Sequence, residues 1–334
     1  MTDNAASWLT VIIVNYNGKR FLQGALDSLA KQTSRDFDII LVDNASTDGS
    51  LDDLNTDHLP SFRLIASPDN LGFAAANNLA AREAKTKWMA LLNPDAEARE
   101  GWVASWKQAA STYPHVPMFA GATLSMADPG IIDGAGDAYF GLGLPWRGGY
   151  AQPRSQMPTI GTCFSPCGAA ALYRRDVFLD AGGFEERFFC YCEDVDLAFR
   201  LRLRGQTCIF WPDAKALHYG TGTSAGSDFA AYHGARNRIW TFCRNMPPIA
   251  LILLSPLHIV LNVALLLRAA LRKELKPTWR GIADAFAGLF DGRRDAQTGR
   301  ALSSLQVLSA MSWNPLRMLA RKPDVRPLKK PQEN

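Results

Sequence analysis

Polar side chains follow four apolar runs in the first hundred residues, and their types suit a phosphorylated ligand. Pro94 fixes its own φ and disfavours helical geometry at Asn93, so Asp95 is presented rigidly. A hard divalent cation that bridges a diphosphate needs only one or two protein carboxylates. Asp43 can accept from the ring N–H of a pyrimidine; ordinary turns are the alternative at both acids. The polar residues are Asn15, Asn17, Asp43, Asn44, 67–70, Asn93 and Asp95.

A second acidic group lies at the start of a helix that we predict over about 194–204. Glu193, Asp194 and Asp196 complement the helix dipole there, so capping explains any one of them. Three acids in four positions exceed what capping needs, and one can accept a proton from a hydroxyl nucleophile. His218 follows a further apolar run at 207–212, where a single histidine is either structural or a ligand.

The elements that must position these residues alternate between strand and helix. Near-continuous apolar runs predict strands that are covered on both faces, with helix-like segments between them. This alternation predicts an α/β fold with a mostly parallel sheet, whose ligands bind at the carboxyl ends of the strands. The predicted strands are 8–16, 37–44, 62–67 and 87–95, and the predicted helices are 18–31, 73–86 and a short one after 46–48.

Beyond residue 100 the sequence pattern is weaker. It predicts a helix at 101–111 and strands at 118–125 and 167–175. The glycine-rich stretch 130–150 predicts a mobile loop that carries Tyr139, Trp146 and Tyr150.

The composition is that of a globular protein with reduced thiols. Hydrophobic residues make up 47% and charged residues 20% of the 334-residue chain. The six cysteines contain no CxxC pair and are too sparse for a disulfide scaffold, so we expect a cytosolic environment. The apolar stretch 8–14 lacks the flanks of a signal peptide. The net charge is +4, but residues 268–334 carry 14 Lys/Arg against 6 Asp/Glu.

The chain resembles the inverting glycosyltransferases of family 2, and most of all the rhamnosyltransferase-like branch that builds bacterial surface polysaccharides. The resemblance spans about residues 9–246 and lies in an ordered set of motifs. It implies a GT-A fold with a Rossmann-like sheet flanked by helices, a nucleotide-diphosphate-sugar donor, and Mg²⁺ or Mn²⁺. The motifs are VIIVNYNG, ILVDNASTDGS, NLGFAAANN, LLNPDAE, CGAAALYRR, GGFEERFFCYCEDVDLAFRLRLRG, LHYGTGTS and ARNRIWTFCRN.

The resemblance also implies roles for individual residues. Asp95 would bind the metal and diphosphate, and His218 would be a further contact to metal or phosphate. Asp194 would be the catalytic base beside Glu193. One departure is that the usual Asp-x-Asp is Asn93-Pro94-Asp95 here, which can lower metal affinity. The expected nucleotide-binding residues are Asn15, Tyr16, Asn17, Asp43, Asn70, Asn77 and Asn93.

We expect a catalytic domain over 1–246, with a nucleotide-binding half at 1–100 and an acceptor-binding half at 101–246, followed by a basic helical region at 247–334. Within the latter, 249–267 has no formal charge and is barely long enough to cross a bilayer. Its polar residues make it amphipathic if Pro256 does not break the helix. A span would place the basic tail outside, against the positive-inside bias.

A peripheral anchor at the cytoplasmic face of the inner membrane, held by anionic lipid, is therefore the favoured interpretation of 249–267. A spanning or re-entrant hairpin and packing onto the catalytic domain are the alternatives.

The expected activity moves rhamnose from dTDP-rhamnose, or otherwise a hexose from a UDP-hexose, to a hydroxyl of a lipid-linked saccharide. A sugar-1-phosphate nucleotidyltransferase would need a glycine-rich basic loop after the first strand, where 15–20 has one glycine. A dinucleotide-binding dehydrogenase would need GxGxxG there. A non-catalytic membrane-bound scaffold of the same fold is the remaining alternative. We expect no nucleic-acid partner and leave a homodimer open.

Overall fold

The computed structural model describes residues 7–220 and 228–328. Short 3₁₀ turns lie at Arg154–Gln156 and Glu186–Phe188. The strands are β1 Leu9–Asn15, β2 Phe37–Asn44, β3 Ser61–Ser67, β4 Trp88–Leu92, β5 Ala96–Ala98, β6 Met118–Ser125, β7 Ile132–Ala135, β8 Asp137–Phe140, β9 Leu144–Arg147, β10 Gly161–Cys163, β11 Ala170–Arg174 and β12 Cys208–His218. The helices are α1 Lys19–Ala30, α2 Gly72–Glu83, α3 Trp102–Thr112, α4 Arg175–Asp180, α5 Glu193–Leu203, α6 Asp228–Asn245, α7 Pro248–Leu271, α8 Leu275–Phe286, α9 Arg293–Gln297, α10 Ser304–Ser309 and α11 Pro315–Leu319.

The central sheet joins a parallel half to a half with antiparallel strands. Its order is β10-β12-β6-β11-β4-β1-β2-β3, with β5 paired to β12 and β7 to β6. Strands β1 to β4 are mutually parallel, and β11 runs antiparallel to both β4 and β6. The predicted α/β fold, a sheet flanked by helices, is confirmed, as are the four strands predicted in the first hundred residues.

The parallel register brings the predicted polar strand ends to one edge. Asn15 pairs with Asp43 across β1 and β2, and Asn44 pairs with Ser67 across β2 and β3. Strand β4 ends beside them at Leu92, directly before Asn93. The local pattern of apolar runs therefore placed these residues at a common edge correctly.

Two apolar cores lie on the two faces of the sheet because successive strand residues point to opposite sides. Leu9, Val11 and Ile13 of β1 join α1 and α3 on one face. Ile12 and Val14 join α2, α4 and α5 on the other face. A third core connects α5 and α6 to the C-terminal helices. The six cysteines, all of them in the described ranges, are free thiols as predicted.

The helix predicted after 46–48 is wrong. Residues 46–60, all of which the structure describes, form bends and turns and no helix. Gly49 has a φ of +74°, which interrupts helical geometry immediately after Asp48. Asp48 instead accepts a hydrogen bond from the backbone N–H of Lys19, the first residue of α1 (2.9 Å).

The mobile loop predicted over 130–150 is also wrong. The stretch contains β7, β8 and β9, and β8 and β9 form an antiparallel hairpin. Tyr139 and Trp146 are buried, and only Tyr150 of the three aromatic residues is exposed. A side chain at Gly143 (φ +94°) would meet His258 of α7 at 2.5 Å, so this glycine permits close packing, which composition alone did not reveal.

Helix α7 continues through Pro256 and has two different faces. Its polar side faces the protein: His258 stacks on Phe242 with ring centroids 3.9 Å apart, and Asn262 accepts from Arg238 (2.6 Å). Among the described residues it is the helix that is long and apolar enough to cross a bilayer. Its apolar side is exposed, at Ile249, Ile252, Leu253, Leu257, Ile259, Val260, Val263, Leu267 and Leu271.

Candidate active site

The ends of β1 and β2 form a connected polar corner. The Asn15 amide donates to Asp43 Oδ1 (2.9 Å) and to Ser46 Oγ (3.0 Å), and Asp43 Oδ2 accepts from the backbone N–H of Ser46 (3.1 Å). Asn17, with a φ of 53°, donates its backbone N–H to Ser46 Oγ. Asn15 Oδ1 is buried without a partner in the described residues, and Tyr16 is exposed beside it. The exposed ring of Tyr16 suits a nucleobase, whereas the Asn15 side chain is wholly buried and holds the corner together.

Two other predicted nucleotide ligands bond to the protein itself. Asn70 Oδ1 accepts from the Asn44 amide (2.8 Å) and from the backbone N–H of Gly72 (3.0 Å). Asn77 is buried and donates to the Phe73 carbonyl one turn earlier in α2 (2.8 Å). The structure therefore gives both amides a role in holding the loop before α2 and α2 itself.

His218 at the end of β12 lies between two buried carboxylates. Its Nε2 is 3.3 Å from Asp95 Oδ1, and its Nδ1 is 2.9 Å from Asp133 Oδ2. The Asn93 amide lies 3.5 Å from the same Nε2. Arg147 donates to Asp133 Oδ1 (2.8 Å). The strand pairing of β12 with β5 brings the distant His218 to the turn that carries Asp95.

Hydrogen bonds and ion pairs in this cluster shift the pKa values of His218 and Asp133 more than burial does. Burial alone would lower the pKa of His218, but its hydrogen bonds to Asp133 and Asp95 and their charges raise the pKa to about 9. Burial would raise the pKa of Asp133, but the His218 hydrogen bond and the charge of Arg147 lower the pKa to about 2. The cluster is therefore polarised towards a negative Asp133 and a positive His218 when it binds no cation.

This arrangement fits a divalent cation held between Asp95 and His218. A carboxylate that accepts from one ring nitrogen of a histidine fixes the other nitrogen towards a metal, and Asp133 stands in that position. A second set, Asp137, Cys167 and Asp194, has one ligand atom each within 4.8 Å of one another. Burial raises the pKa of the Cys167 thiol, and hard cations prefer oxygen, so this set fits Mg²⁺ or Mn²⁺ less well.

Asp194 in the first turn of α5 is fixed through both carboxylate oxygens. Oδ2 accepts from the backbone N–H of Gly168 (3.0 Å) and Oδ1 from that of Val195 (2.8 Å). Phe189, Tyr191 and Cys192, which precede it, all have positive φ, a strained conformation for non-glycine residues. Such strain persists only where surrounding structure imposes it.

Asn237 of α6 supports that strained segment. It is fully buried, and its amide donates to the carbonyls of Phe188, Cys190 and Tyr191, each at 2.8 Å. The segment that precedes Asp194 is therefore held in place by α6.

Burial favours the protonated form of the acids around Asp194. Burial raises the pKa of Asp194, although the Gly168 and Val195 N–H groups and Arg147 oppose this. Burial and the charge of Asp194 raise the pKa of Glu193 and of Asp137 well above the ordinary value. A carboxylate with a raised pKa is a stronger base, as proton abstraction requires.

A cavity of about 540 Å³ opens onto Asp194 and connects it to the end of β4. Asn93 and Asp194 both line it, and the backbone N–H of Asn93 bonds to the Ala169 carbonyl on the cavity wall. Asp95, His218, Asn15 and Asp43 are not among its lining residues, although His218 Nε2 lies 3.5 Å from the Asn93 amide. The corner of Asn15 and Asp43 lies at the ends of β1 and β2. The predicted residues thus form three groups: the corner of Asn15 and Asp43, the cluster of Asp95 and His218, and the cavity with Asn93 and Asp194.

A family model described as "Glycosyl transferase family 2" matches residues 10–181. The chain belongs to glycosyl transferase family 2. Membership of this family makes the protein a glycosyltransferase rather than a nucleotidyltransferase or a dehydrogenase.

Relatives of this family 2 glycosyltransferase act on lipid-linked saccharides. It is 32% identical over 251 residues to the N-acetylglucosaminyl-diphospho-decaprenol L-rhamnosyltransferase of Mycobacterium tuberculosis, covering 67% of this chain and 81% of the relative. It is 33% identical over 89 residues to the Escherichia coli UDP-Glc:alpha-D-GlcNAc-diphosphoundecaprenol beta-1,3-glucosyltransferase WfaP, covering 26% of this chain and 35% of that protein. The predicted rhamnosyltransferase-like resemblance is confirmed.

A solved structure with the same fold contains a metal ion. The mannosyltransferase PcManGT from Pyrobaculum calidifontis, in complex with GDP-Man and Mn²⁺, superposes with a TM-score of 0.51 at 19% identity, over 94% of this chain and 88% of that chain. At this identity the similarity shows the fold, so the GT-A architecture of this family 2 glycosyltransferase is confirmed.

Sequence reasoning missed the residues of the site that lie in 130–150. Asp133 orients His218, and Asp137 has a buried Oδ1 with no partner in the described part of the chain. Asp133 and Asp137 are the only charged residues in the stretch 129–146. This isolation was the sequence signal that could have marked them as site residues. The predicted motif at 216–224 falls partly on 221–224, which lie outside the described residues.

Proposed function

We propose that this glycosyltransferase transfers rhamnose from dTDP-rhamnose to a hydroxyl of a saccharide that is linked to a polyprenol through a diphosphate. The observation that carries the proposal is the cavity that joins Asp194, fixed by two backbone N–H groups, to Asn93 at the end of β4. The M. tuberculosis rhamnosyltransferase supports the donor and acceptor classes. A UDP-hexose is the second donor candidate, supported by the shorter match to WfaP.

The reaction in this proposal is a single displacement with inversion. The acceptor hydroxyl oxygen attacks the anomeric carbon of the donor and transfers its proton to a carboxylate oxygen of Asp194. The bond between the anomeric carbon and the diphosphate oxygen breaks, and its electron pair leaves with the nucleoside diphosphate. The nucleobase of the donor is oriented by Asn15, Asn17 and Asp43, and Tyr16 offers an aromatic face to it.

In the same proposal Asp95 and His218 hold the Mg²⁺ or Mn²⁺, and Asp133 orients the histidine. A bound cation there would neutralise charge on the departing diphosphate. Asn93 replaces the first carboxylate of the usual pair, so the cation has fewer charged protein ligands. We expect correspondingly weak metal binding in the absence of the nucleotide.

We also propose that the enzyme works at the cytoplasmic face of the inner membrane as a peripheral protein. The exposed apolar side of α7 would lie in the bilayer interface, and the basic C-terminal residues would face anionic headgroups. A lipid-linked acceptor would then meet the cavity at the membrane surface.

Donor identity is tested by thermal shift of the purified protein with dTDP-rhamnose, UDP-glucose and GDP-mannose in the presence of Mn²⁺. A ligand at about 100 times its Kd adds roughly 2.7 kcal/mol of stability, so the true donor stands out. The donor that stabilises most should also give product with a GlcNAc-diphosphate lipid. No transfer from any of the three donors would reject the proposed function and favour a non-catalytic scaffold.

A further inference from the structure

The cavity that contains Asp194 has a basic wall formed by helices α6 and α7 and the residue after α7. Arg238 projects from α6, Arg268 from the last turn of α7, and Arg272 from the residue after α7. Leu265 and Ala269 of α7 line the same wall. Residues three to four positions apart lie on one side of a helix, so these two share a side with Arg268 and Arg272. The chemistry proposed for the transferred sugar at Asp194 and Asn93 makes no use of these arginines.

Arg238 is a buried cation with donor capacity to spare. It is 8% exposed, and one terminal nitrogen donates to Asn262 Oδ1 (2.6 Å). Its Nε has no partner in the described ranges. Burial lowers the pKa of Arg238 to about 10, so the guanidinium still carries its charge at neutral pH. A buried and incompletely bonded guanidinium facing a cavity is energetically costly unless an anion joins it.

Arg268 and Arg272 stand where the cavity meets the exposed apolar side of α7. Both are exposed, and no carboxylate of residues 7–220 or 228–328 lies within ion-pair distance of either. Leu267 and Leu271, each the immediate neighbour of one of these arginines, are 65% and 88% exposed. Glu274 also contributes to the wall. Charge and apolar surface therefore adjoin at this rim, as an amphiphilic ligand requires.

We propose that Arg238, Arg268 and Arg272 bind the diphosphate of a polyprenyl diphosphate-linked acceptor, whose prenyl chain leaves along the exposed apolar side of α7. This inference rests on the proposed function and adds an acceptor-diphosphate subsite to it. Guanidinium groups suit the site because their planar donors pair with phosphate oxygens in a bidentate manner. The saccharide would then extend from the rim towards Asp194, with its hydroxyl at the carboxylate.

The decisive experiment compares two acceptors with the full-length protein in neutral detergent without phospholipid. One acceptor is GlcNAc on a short prenyl diphosphate, and the other is GlcNAc as its octyl glycoside. In Arg268→Gln/Arg272→Gln we expect the KM for the diphosphate acceptor to rise by roughly tenfold per arginine, as for a lost charged hydrogen bond. The KM for the octyl glycoside and the donor KM should stay unchanged. Arg280→Gln/Arg294→Gln removes two exposed charges outside the cavity and is the matched control.

A binding measurement separates this subsite from the activity. With dTDP saturating the donor side, farnesyl diphosphate should raise the Tm of the wild-type and control proteins but not that of Arg268→Gln/Arg272→Gln. This result supports the subsite even if no transfer is detected, which would reject only the proposed function. Equal KM changes for both acceptors would overturn the subsite. So would a rise in Tm with farnesyl diphosphate that is as large in Arg268→Gln/Arg272→Gln as in the wild-type protein. So would a variant that loses only its binding to anionic vesicles, since the arginines would then serve lipid headgroups.

Discussion

Two adjacent carboxyl groups at the start of α5 have different surroundings. Both oxygens of Asp194 accept backbone N–H bonds, whereas Glu193 Oε2 is buried without a partner in the described part of the chain. The sequence predicted that one acid in this turn is a base, because three acids exceed what capping needs. It could not show which carboxyl group is bonded, since Gly168 lies far away in the chain.

Glu193→Gln should stabilise the protein at neutral pH. Burial and the charge of Asp194 raise the pKa of Glu193 well above its ordinary value, so the native state holds this proton more tightly than the unfolded state. Stability is therefore lost as pH rises from about 4.3, the ordinary glutamate value, through the raised pKa. We expect Glu193→Gln to raise the free energy of unfolding by about 1–3 kcal/mol at pH 8, as for relief of an unpaired buried group.

Urea unfolding of Glu193→Gln at pH 4 and pH 8 measures this effect. The stabilisation should be present at pH 8 and nearly absent at pH 4, and the exposed Glu100→Gln should show no difference at either pH. An equal or lower stability of Glu193→Gln at pH 8 would mean that Glu193 is charged and paired in the native state.

At the scale of elements, Asp196 joins α5 to α6. Its Oδ2 accepts from Arg200 Nε (2.8 Å), and its Oδ1 accepts from the Asn245 amide (2.6 Å). The sequence grouped this acid with its neighbours as a site candidate, but the structure buries it completely in an ion pair. Asn245 is 49 residues away in the chain, and no local pattern could predict that contact.

Asp196→Asn should destabilise the protein by about 3–5 kcal/mol, because it leaves the Arg200 guanidinium buried without its charge partner. Thermal unfolding measures the loss. Asp213→Asn, which removes a 62% exposed carboxylate paired with Lys215, should be nearly neutral. Similar Tm values for the two variants would show that the pair of Asp196 and Arg200 contributes little.

Local patterns predicted the elements far better where strands are continuous than where glycines are frequent. The four strands of the parallel half followed from apolar runs, and their parallel pairing places their polar ends at one edge as predicted. The hairpin of β8 and β9 did not, because its aromatic residues are buried by distant partners. Phe140 bridges to Ser312, and Tyr139 stacks on Phe164. Such contacts depend on the whole fold.

At the scale of the whole molecule, the C-terminal region packs back onto the catalytic region. Trp146 Nε1 donates to the Lys322 carbonyl (3.1 Å), and Thr162 pairs with Arg326. Deleting 247–334 would uncover these contacts, so the domain boundary at 246 stays a prediction and truncation is a poor test of it. The amphipathic nature of 249–267 was readable from the sequence, but the direction of its polar side was not.

Membrane attachment through α7 predicts that charges on its apolar side release the protein from lipid. Ile252→Asp/Ile259→Asp places two carboxylates on side chains that are 74% and 62% exposed. We expect binding to anionic vesicles to weaken by at least roughly tenfold, since each buried isoleucine contributes about 1.5–3 kcal/mol. Co-sedimentation measures this, and Leu64→Asp on the edge strand β3 is the control. Unchanged sedimentation would exclude this side of α7 as the attachment surface.

The most direct measurement is the turnover of Asp194→Asn with the donor that binds the wild-type protein, together with the donor Kd in Mn²⁺. If Asp194 accepts the acceptor proton, turnover falls by about 10²–10⁴-fold while the donor Kd changes little. Turnover close to that of the wild-type protein would contradict the assignment of the base.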